Sequence, residues 1–240
     1  MVSQKAKWFI FTIASVLLIS FILSIVPYPP NIKYNHGSLE ILALFSIAYQ
    51  WLFCFLGSGL FGKRTEKYFD LAGFSCFGFL ALLSAYLLGF DKLSLRQQIV
   101  FAFAELYSLR LGLFLFSRSL RVGGIDSRFI EAKKNMFTCA SYWTVQALWC
   151  YICSLCIFIL NITPQDQDHK NELYVIDYVG ISIWLFGMLF QTVADEQKRQ
   201  WQLNPANRHR FIHSGLWAFS RHPNCKFVLK YLLFFYLLLD

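Results

Sequence analysis

"TEKYFDLAGFSCFGFLALLSAYLLG" (65–89) decides the class of this protein. Beyond Asp70 the stretch carries no charge, and its apolar run over 68–90 approaches the ~20 residues that a helix needs to cross the hydrocarbon core of a bilayer. Runs of similar length lie on both sides of it, at 7–26, 37–60, 97–117, 138–160 and 174–194. A last run, 226–239, has about fourteen residues, roughly 21 Å of helix, which is short for a full crossing. The first run follows Lys5 and Lys7 as a signal peptide would, but it is too long for a typical signal core and no small-residue cleavage site follows. The pattern predicts an all-α, polytopic transmembrane helix bundle of six spanning helices plus a short C-terminal hydrophobic helix.

Composition agrees. Of 240 residues, 57% are hydrophobic and only 15% are charged, against about 25% charged in a soluble domain. The charges gather between the apolar runs, as expected where lipid replaces water around the helices. The net charge of +8 would suit nucleic acid if it formed one face, but the basic residues flank hydrophobic spans instead. No nucleic-acid partner is expected, and membrane lipids are. Sixteen of the 22 lysines and arginines fall at the N-terminus and in alternate junctions, and four on the opposite side; Arg110 and Lys230 lie within apolar runs. The positive-inside rule then places the N-terminus and residues 195–225 in the cytoplasm. The sequon "NIT" (161–163) falls on the other side, where the bilayer is expected to shield Asn161 from glycosylation.

Six of the seven cysteines lie in apolar stretches, three of them in "CYICSLC" (150–156). Without a histidine or acid nearby this spacing reads as a packing surface, and no metal site is expected.

Polar chemistry concentrates after the sixth run. That helix is expected to continue through "ADEQKRQWQL" to Asn204, where Pro205 disfavours more helix. Gln191, Asp195, Lys198 and Gln202 are four, three and four residues apart and share one face. Such a stripe could grip a polar ligand, or serve only as a solvated turn whose Lys198, Arg199 and Trp201 anchor the membrane interface. The loop that follows gathers Arg208, His209, Arg210, His213, Arg221 and His222. Arginine engages phosphate bidentately, so a phosphorylated ligand and acidic lipid headgroups are both open. In the fourth run, Arg110 costs about 2.5–3.5 kcal/mol on insertion scales and should face the bundle interior, with Glu105 the other charge of that helix.

The order of these residues carries more than their charge. "GMLFQTVADEQKRQWQLNPANRHRFIHSGLWAFSRHPN" (187–224) resembles the C-terminal region of the steroid 5α-reductase-like membrane family, in the branch labelled DUF1295. That branch shows a pattern like A-D-x-Q-K, then N-P, then G-L-W-x-x-S-R-H-P-N-Y-x-G-E. "LRLGLFLFSRSLRVGGIDSRF" (109–129) and the opening stretch are also similar to it, so the likeness runs from about residue 60 to Asn224. The resemblance divides the chain into N-terminal transmembrane helices (1–60), a reductase-like membrane domain (61–225) and a divergent hydrophobic tail (226–240).

The resemblance implies an integral membrane oxidoreductase, in the endoplasmic reticulum, that binds NADPH on its cytoplasmic side. Its implied reaction is reduction of a carbon–carbon double bond conjugated to a carbonyl in a lipid-like or steroid-like small molecule. Carried over by residue, Gln191 and Asp195 would hydrogen-bond the cofactor. Lys198, Arg221, His222 and Asn224 would hold its phosphates and adenosine side, and Asn204 would shape the turn. Arg110, Arg118, Asp126 and Arg128 match family positions, and would either support the site from behind or lie on its cofactor side. No catalytic residue is assigned: Tyr68, Glu105 and Tyr107 are candidates for the proton donor that no motif supports.

Two departures bear on activity. Gln191 stands where the branch usually has glutamate, and after Asn224 the chain reads "CKFVLKYLLFFYLLLD" instead of Y-x-G-E. A non-catalytic protein that keeps the membrane fold is therefore an alternative. A second is a membrane methyltransferase of the isoprenylcysteine type, with a similar R-H-P-x-Y signature and S-adenosylmethionine as cofactor; the A-D-x-Q-K block argues against it.

Overall fold

The computed structural model describes residues 4–25, 38–60, 66–121, 126, 129–162, 171–207 and 210–224. Among these residues the chain is helical throughout, without strands: α1 (Gln4–Ile25), α2 (Ser38–Leu60), α3 (Phe69–Leu88), α4 (Leu95–Arg121), α5 (Phe129–Ala132), α6 (Met136–Ile162) and α7 (Val175–Leu203). Five of them, α2, α3, α4, α6 and α7, are long and apolar enough to cross a membrane. Six crossings were expected. α1 covers the first expected run, but its described side chains stop at Leu18, short of a crossing length. The tail helix expected at 226–239 lies outside the described residues.

The large apolar side chains left on the surface are what a lipid solvent permits. Phe11, Leu109, Phe186 and Leu189 are each about three-fifths exposed. In water such faces would drive association, whereas against acyl chains they are neutral. The chain divides into two compact units, Met1–Asn171 and Glu172–Asp240.

In the first unit α6 is the hub, touching α1, α2, α3, α4 and α5, and α3 packs on α2, α4 and α6. Leu39, Leu42, Ala43 and Ile47 form the buried face of α2, at helical spacing. They meet Cys76 and Leu80 of α3 and Ala147, Cys150 and Tyr151 of α6. Ala72, Cys76, Ala81 and Ala85 are fully buried, because small residues let helix backbones approach closely where no hydrophobic effect draws them together.

Interhelical hydrogen bonds supply the rest. Gln50 Nε2 donates to the Ala72 carbonyl (3.1 Å), Trp51 Nε1 to Thr144 Oγ1 (3.0 Å) and Gln97 Nε2 to the Leu160 carbonyl (2.9 Å). Such bonds average about 0.6 kcal/mol in a membrane protein, so their number and their geometric selectivity matter more than any one. Cys150 directs its thiol at the Gly73 carbonyl, 3.2 Å away, and so packs α6 on α3. Asn161 donates to Ser84 Oγ (2.9 Å) and is buried. Protein therefore covers the amide of the "NIT" sequon directly.

A further clamp was not read from the sequence. Glu66 is 5% exposed, and both of its oxygens are within 2.8 Å of Lys133 Nζ. Its Oε1 also accepts the Asp126 backbone N–H at 3.1 Å. The carboxylate ties the start of α3 to the segment around α5.

Candidate functional site

The second unit is built on α7. The helix opens at Tyr174, whose extended backbone N–H donates to Asp177 Oδ2 (2.8 Å). This acidic first-turn residue faces the positive end of the helix dipole. After 29 residues the helix stops at Asn204, before Pro205. The Asn204 side chain accepts the Ala206 N–H (3.0 Å) and a 3-10 turn, Pro205–Asn207, follows. Asn207 Nδ2 donates to the Trp201 carbonyl (3.0 Å), satisfying one of the acceptors that a helix end leaves open.

The chain then returns along the helix it has just left. The His213 ring meets Trp201 edge-on at 5.3 Å. The Leu216 N–H donates to Gln197 Oε1 (3.0 Å), and Trp217 Nε1 donates to the Ala194 carbonyl (2.9 Å). Asn224 Nδ2 donates to Asp195 Oδ1 (3.1 Å). Contacts that climb the return segment thus descend α7, from 201 to 197 to 194–195, the mark of an antiparallel strap. Gly215 takes φ +60° within it, a conformation that costs other residues about 1–2 kcal/mol. Trp217 is 7% exposed and lies beneath Lys198, whose Nζ stands 4.9 Å from the ring centroid.

The structure splits the sequence stripe in two. Gln191 and Asp195 are buried, at 7% and 4% exposure, whereas Lys198 and Gln202 are exposed. Asp195 and Asn224, 29 positions apart, are joined directly. Lys198 stands one turn beyond Asp195 on the same face, beside the buried Trp217. Arg221 and His222 are exposed just before Asn224, and the His222 N–H is held by Ser220 Oγ (3.2 Å). Asn204 is not brought into this cluster: it sits nine residues beyond Asp195, roughly 13 Å along the axis, and its side chain serves the turn. Arg208 and His209 lie outside the described residues. The strap's other anchors, Gln197 and Trp217, were given no role from the sequence, although both stand in its motifs, as the Q of A-D-x-Q-K and the W of G-L-W-x-x-S-R-H-P-N.

A buried carboxylate held by an amide, with cations exposed one turn away, suits a ligand that presents hydrogen-bond donors to the interior and negative charge to the solvent side. Desolvation strengthens the hydrogen bonds Asp195 can accept, and arginine and lysine meet phosphate without burying charge.

The other candidates belong to the first unit. Arg118 pairs with Asp70 (3.2 Å), and the Arg110 guanidinium lies 5.5 Å from the Phe114 ring. The Asp126 backbone serves Glu66, and Arg128 lies outside the described residues. Tyr68 stacks on Phe116 (5.8 Å), Tyr107 is buried against Phe74, and the Glu105 carboxylate crowds Gly78. Tyr68 stands at the N-cap of α3 and the other two on α4, and the three form no single cluster among the contacts described.

Over residues 60–238 the chain matches the model of DUF1295, described as a protein of unknown function. The chain belongs to the DUF1295 family. The match takes in α3 to α7, the strap and part of the apolar tail, and leaves α1 and nearly all of α2 in front of it. No curated protein and no solved structure matches this DUF1295 chain.

Proposed function

We propose that this DUF1295 protein is an NADPH-dependent membrane oxidoreductase that reduces a carbon–carbon double bond conjugated to a carbonyl in a lipid-like or steroid-like substrate. The observation that carries this reading is the Asp195–Asn224 bond. It unites the two blocks, A-D-x-Q-K and S-R-H-P-N, on which the likeness to the steroid 5α-reductase-like family rests.

The side chains present fit the cofactor. Asp195 and Gln191 would accept and donate hydrogen bonds at its uncharged groups, with the Asn224 amide fixing the Asp195 carboxylate. Lys198, exposed one turn from Asp195, and Arg221 and His222, exposed just before Asn224 in the chain, would meet its phosphates, Arg221 as a bidentate donor. NADPH, when bound, supplies hydride. The positive-inside distribution supports a cytoplasmic face for this site, and the family resemblance supports the endoplasmic reticulum as its membrane. The proton donor is left unassigned among Tyr68, Glu105 and Tyr107.

A non-catalytic protein with the same fold is the second reading. It is favoured by Gln191, a buried amide where the branch usually has a carboxylate, and by the sequence that replaces Y-x-G-E after Asn224. One experiment separates these readings from the methyltransferase: thermal unfolding of the purified protein in detergent with NADPH, NADH or S-adenosylmethionine. Stabilisation by NADPH, weakened in Arg221→Ala and His222→Ala, is the expected result. Stabilisation by S-adenosylmethionine alone, or by none of the three, overturns the reductase reading.

A further inference from the structure

Among the described residues of the second unit, Phe211 and Phe219 are the most exposed large apolar side chains, at 93% and 87%. A single exposed ring is ordinary on a protein surface, so exposure decides nothing by itself. Depth does. No charged residue lies between Asp177 and Asp195 of α7, a rise of roughly 27 Å, close to the ~30 Å hydrocarbon core of a bilayer. Where α7 crosses, the hydrocarbon must therefore end near Asp195. The return segment brings Phe219 back to that level. Trp217 is held at the Ala194 carbonyl, Asn224 at Asp195 and Leu216 at Gln197. The Phe219 N–H donates to the Leu216 carbonyl at 3.3 Å, which keeps the residue in the same tight turn. Phe219 thus stands beside residues 194–197, within roughly 5 Å of the boundary, and a headgroup layer is about 5–7 Å deep. Phe211 precedes His213, whose ring meets Trp201, so it stands at or beyond the level of residue 201. That is roughly 10 Å past Ala194 and outside the layer.

We propose that Phe219 inserts into the headgroup layer of a phospholipid leaflet at the C-terminal end of α7 and so fastens the strap to the bilayer. Aromatic rings favour this layer, which accepts their apolar body without deep burial. Charge favours it too: residues 197–224 contain five lysines and arginines and no acid, which suits a leaflet with acidic lipids. A second copy of the chain would have to meet the ring among those cations and displace lipid to do so. Insertion gives the Asp195–Asn224 contact a second support, because α7 and the bilayer then hold the strap from two sides. It involves no cofactor and does not depend on the reductase reading.

The test places photoreactive p-benzoylphenylalanine at position 219 or at position 211 of the full-length protein, in nanodiscs of phosphatidylcholine and phosphatidylserine. Both positions fall in the tryptic peptide 211–221, so adducts are compared on one fragment. Position 219 should form phospholipid adducts, and position 211 about a fifth as many or fewer, being outside the ~5–7 Å layer. Phe219→Ser should raise hydrogen exchange of residues 215–224 in the nanodisc about fivefold, the worth of roughly half a buried phenylalanine, with Phe219→Trp and Phe211→Ser close to wild type. The crosslink decides the matter if the serine variant does not fold. Equal lipid labelling at the two positions, labelling of a second copy from 219 in place of lipid, or no adduct at 219 would overturn the proposal, as would exchange that Phe219→Ser leaves unchanged.

Discussion

Replacing Asn224 by aspartate tests the strap through its pH dependence. In the wild type a neutral amide donates to the Asp195 carboxylate at 3.1 Å. A second ionised carboxylate at that distance would be repelled by about 5 kcal/mol at an effective dielectric of about 20. Protonation limits the damage. Keeping one proton on the pair at pH 7 costs about 4 kcal/mol, since a free aspartate titrates near 3.9 and each pH unit is worth about 1.36 kcal/mol. The introduced carboxyl has its pKa raised in the docked state, so the penalty is present above the free-aspartate value and fades as pH falls towards it. Near pH 4 its O–H replaces the amide as donor and docking should approach the wild type. Asn224→Ala, by contrast, loses one hydrogen bond to a charged group, about 1.5–3 kcal/mol, across the same range. The two variants should therefore cross: N224D is the weaker at pH 7 and the stronger near pH 4.5. Hydrogen–deuterium exchange of the 215–224 peptides, corrected for the pH dependence of intrinsic exchange, reads the docking energy directly. Equal protection of the two variants at every pH would refute the contact.

Other substitutions probe other joints. Gly215→Ala forces an L side chain into φ +60° and sets its Cβ 2.7 Å from the Gln197 amide, so it should cost about 1–2 kcal/mol in strain and expose the Leu216 N–H to exchange. Lys133→Ala leaves Glu66 buried with the Asp126 N–H as its remaining described donor. It should lower the stability of the first unit by about 1–3 kcal/mol in thermal or detergent unfolding, with Lys133→Arg close to wild type. The 30% exposure of the Lys133 side chain keeps this below the cost of breaking a fully buried pair. Gly73→Ala drives a methyl into Gln146 Nε2 and should cost about 1–3 kcal/mol; in a Gln146→Ala background most of that loss should vanish, and simple additivity would sink the account.

The helices were legible because a bilayer imposes a length on them. The runs expected at 68–90, 97–117 and 138–160 lie within two or four residues of α3, α4 and α6 at each end, and the expected extension of the sixth run to Asn204 is where α7 stops. Pro205 supplied that boundary by its missing N–H and fixed φ. The four-residue α5 was not read, since so short an element carries no periodicity. In the candidate site, spacing along α7 correctly put Gln191, Asp195 and Lys198 on one face, but spacing says nothing about depth. Gln191 and Asp195 are buried while Lys198 is exposed, a difference set by what packs across the helix.

By itself, then, the amino-acid order determined an α-helical membrane chain and the helix face that carries its polar groups, because both follow from local periodicity and from the solvent that apolar runs require. Tertiary structure alone decided which distant groups meet: Asp195 with Asn224, Glu66 with Lys133, and Gln146 with the Phe69 carbonyl. Those pairings span 29 to 77 positions, and no local rule fixes them. They depend on where close-packed helices leave room, as the missing Cβ of Gly73 does for Gln146.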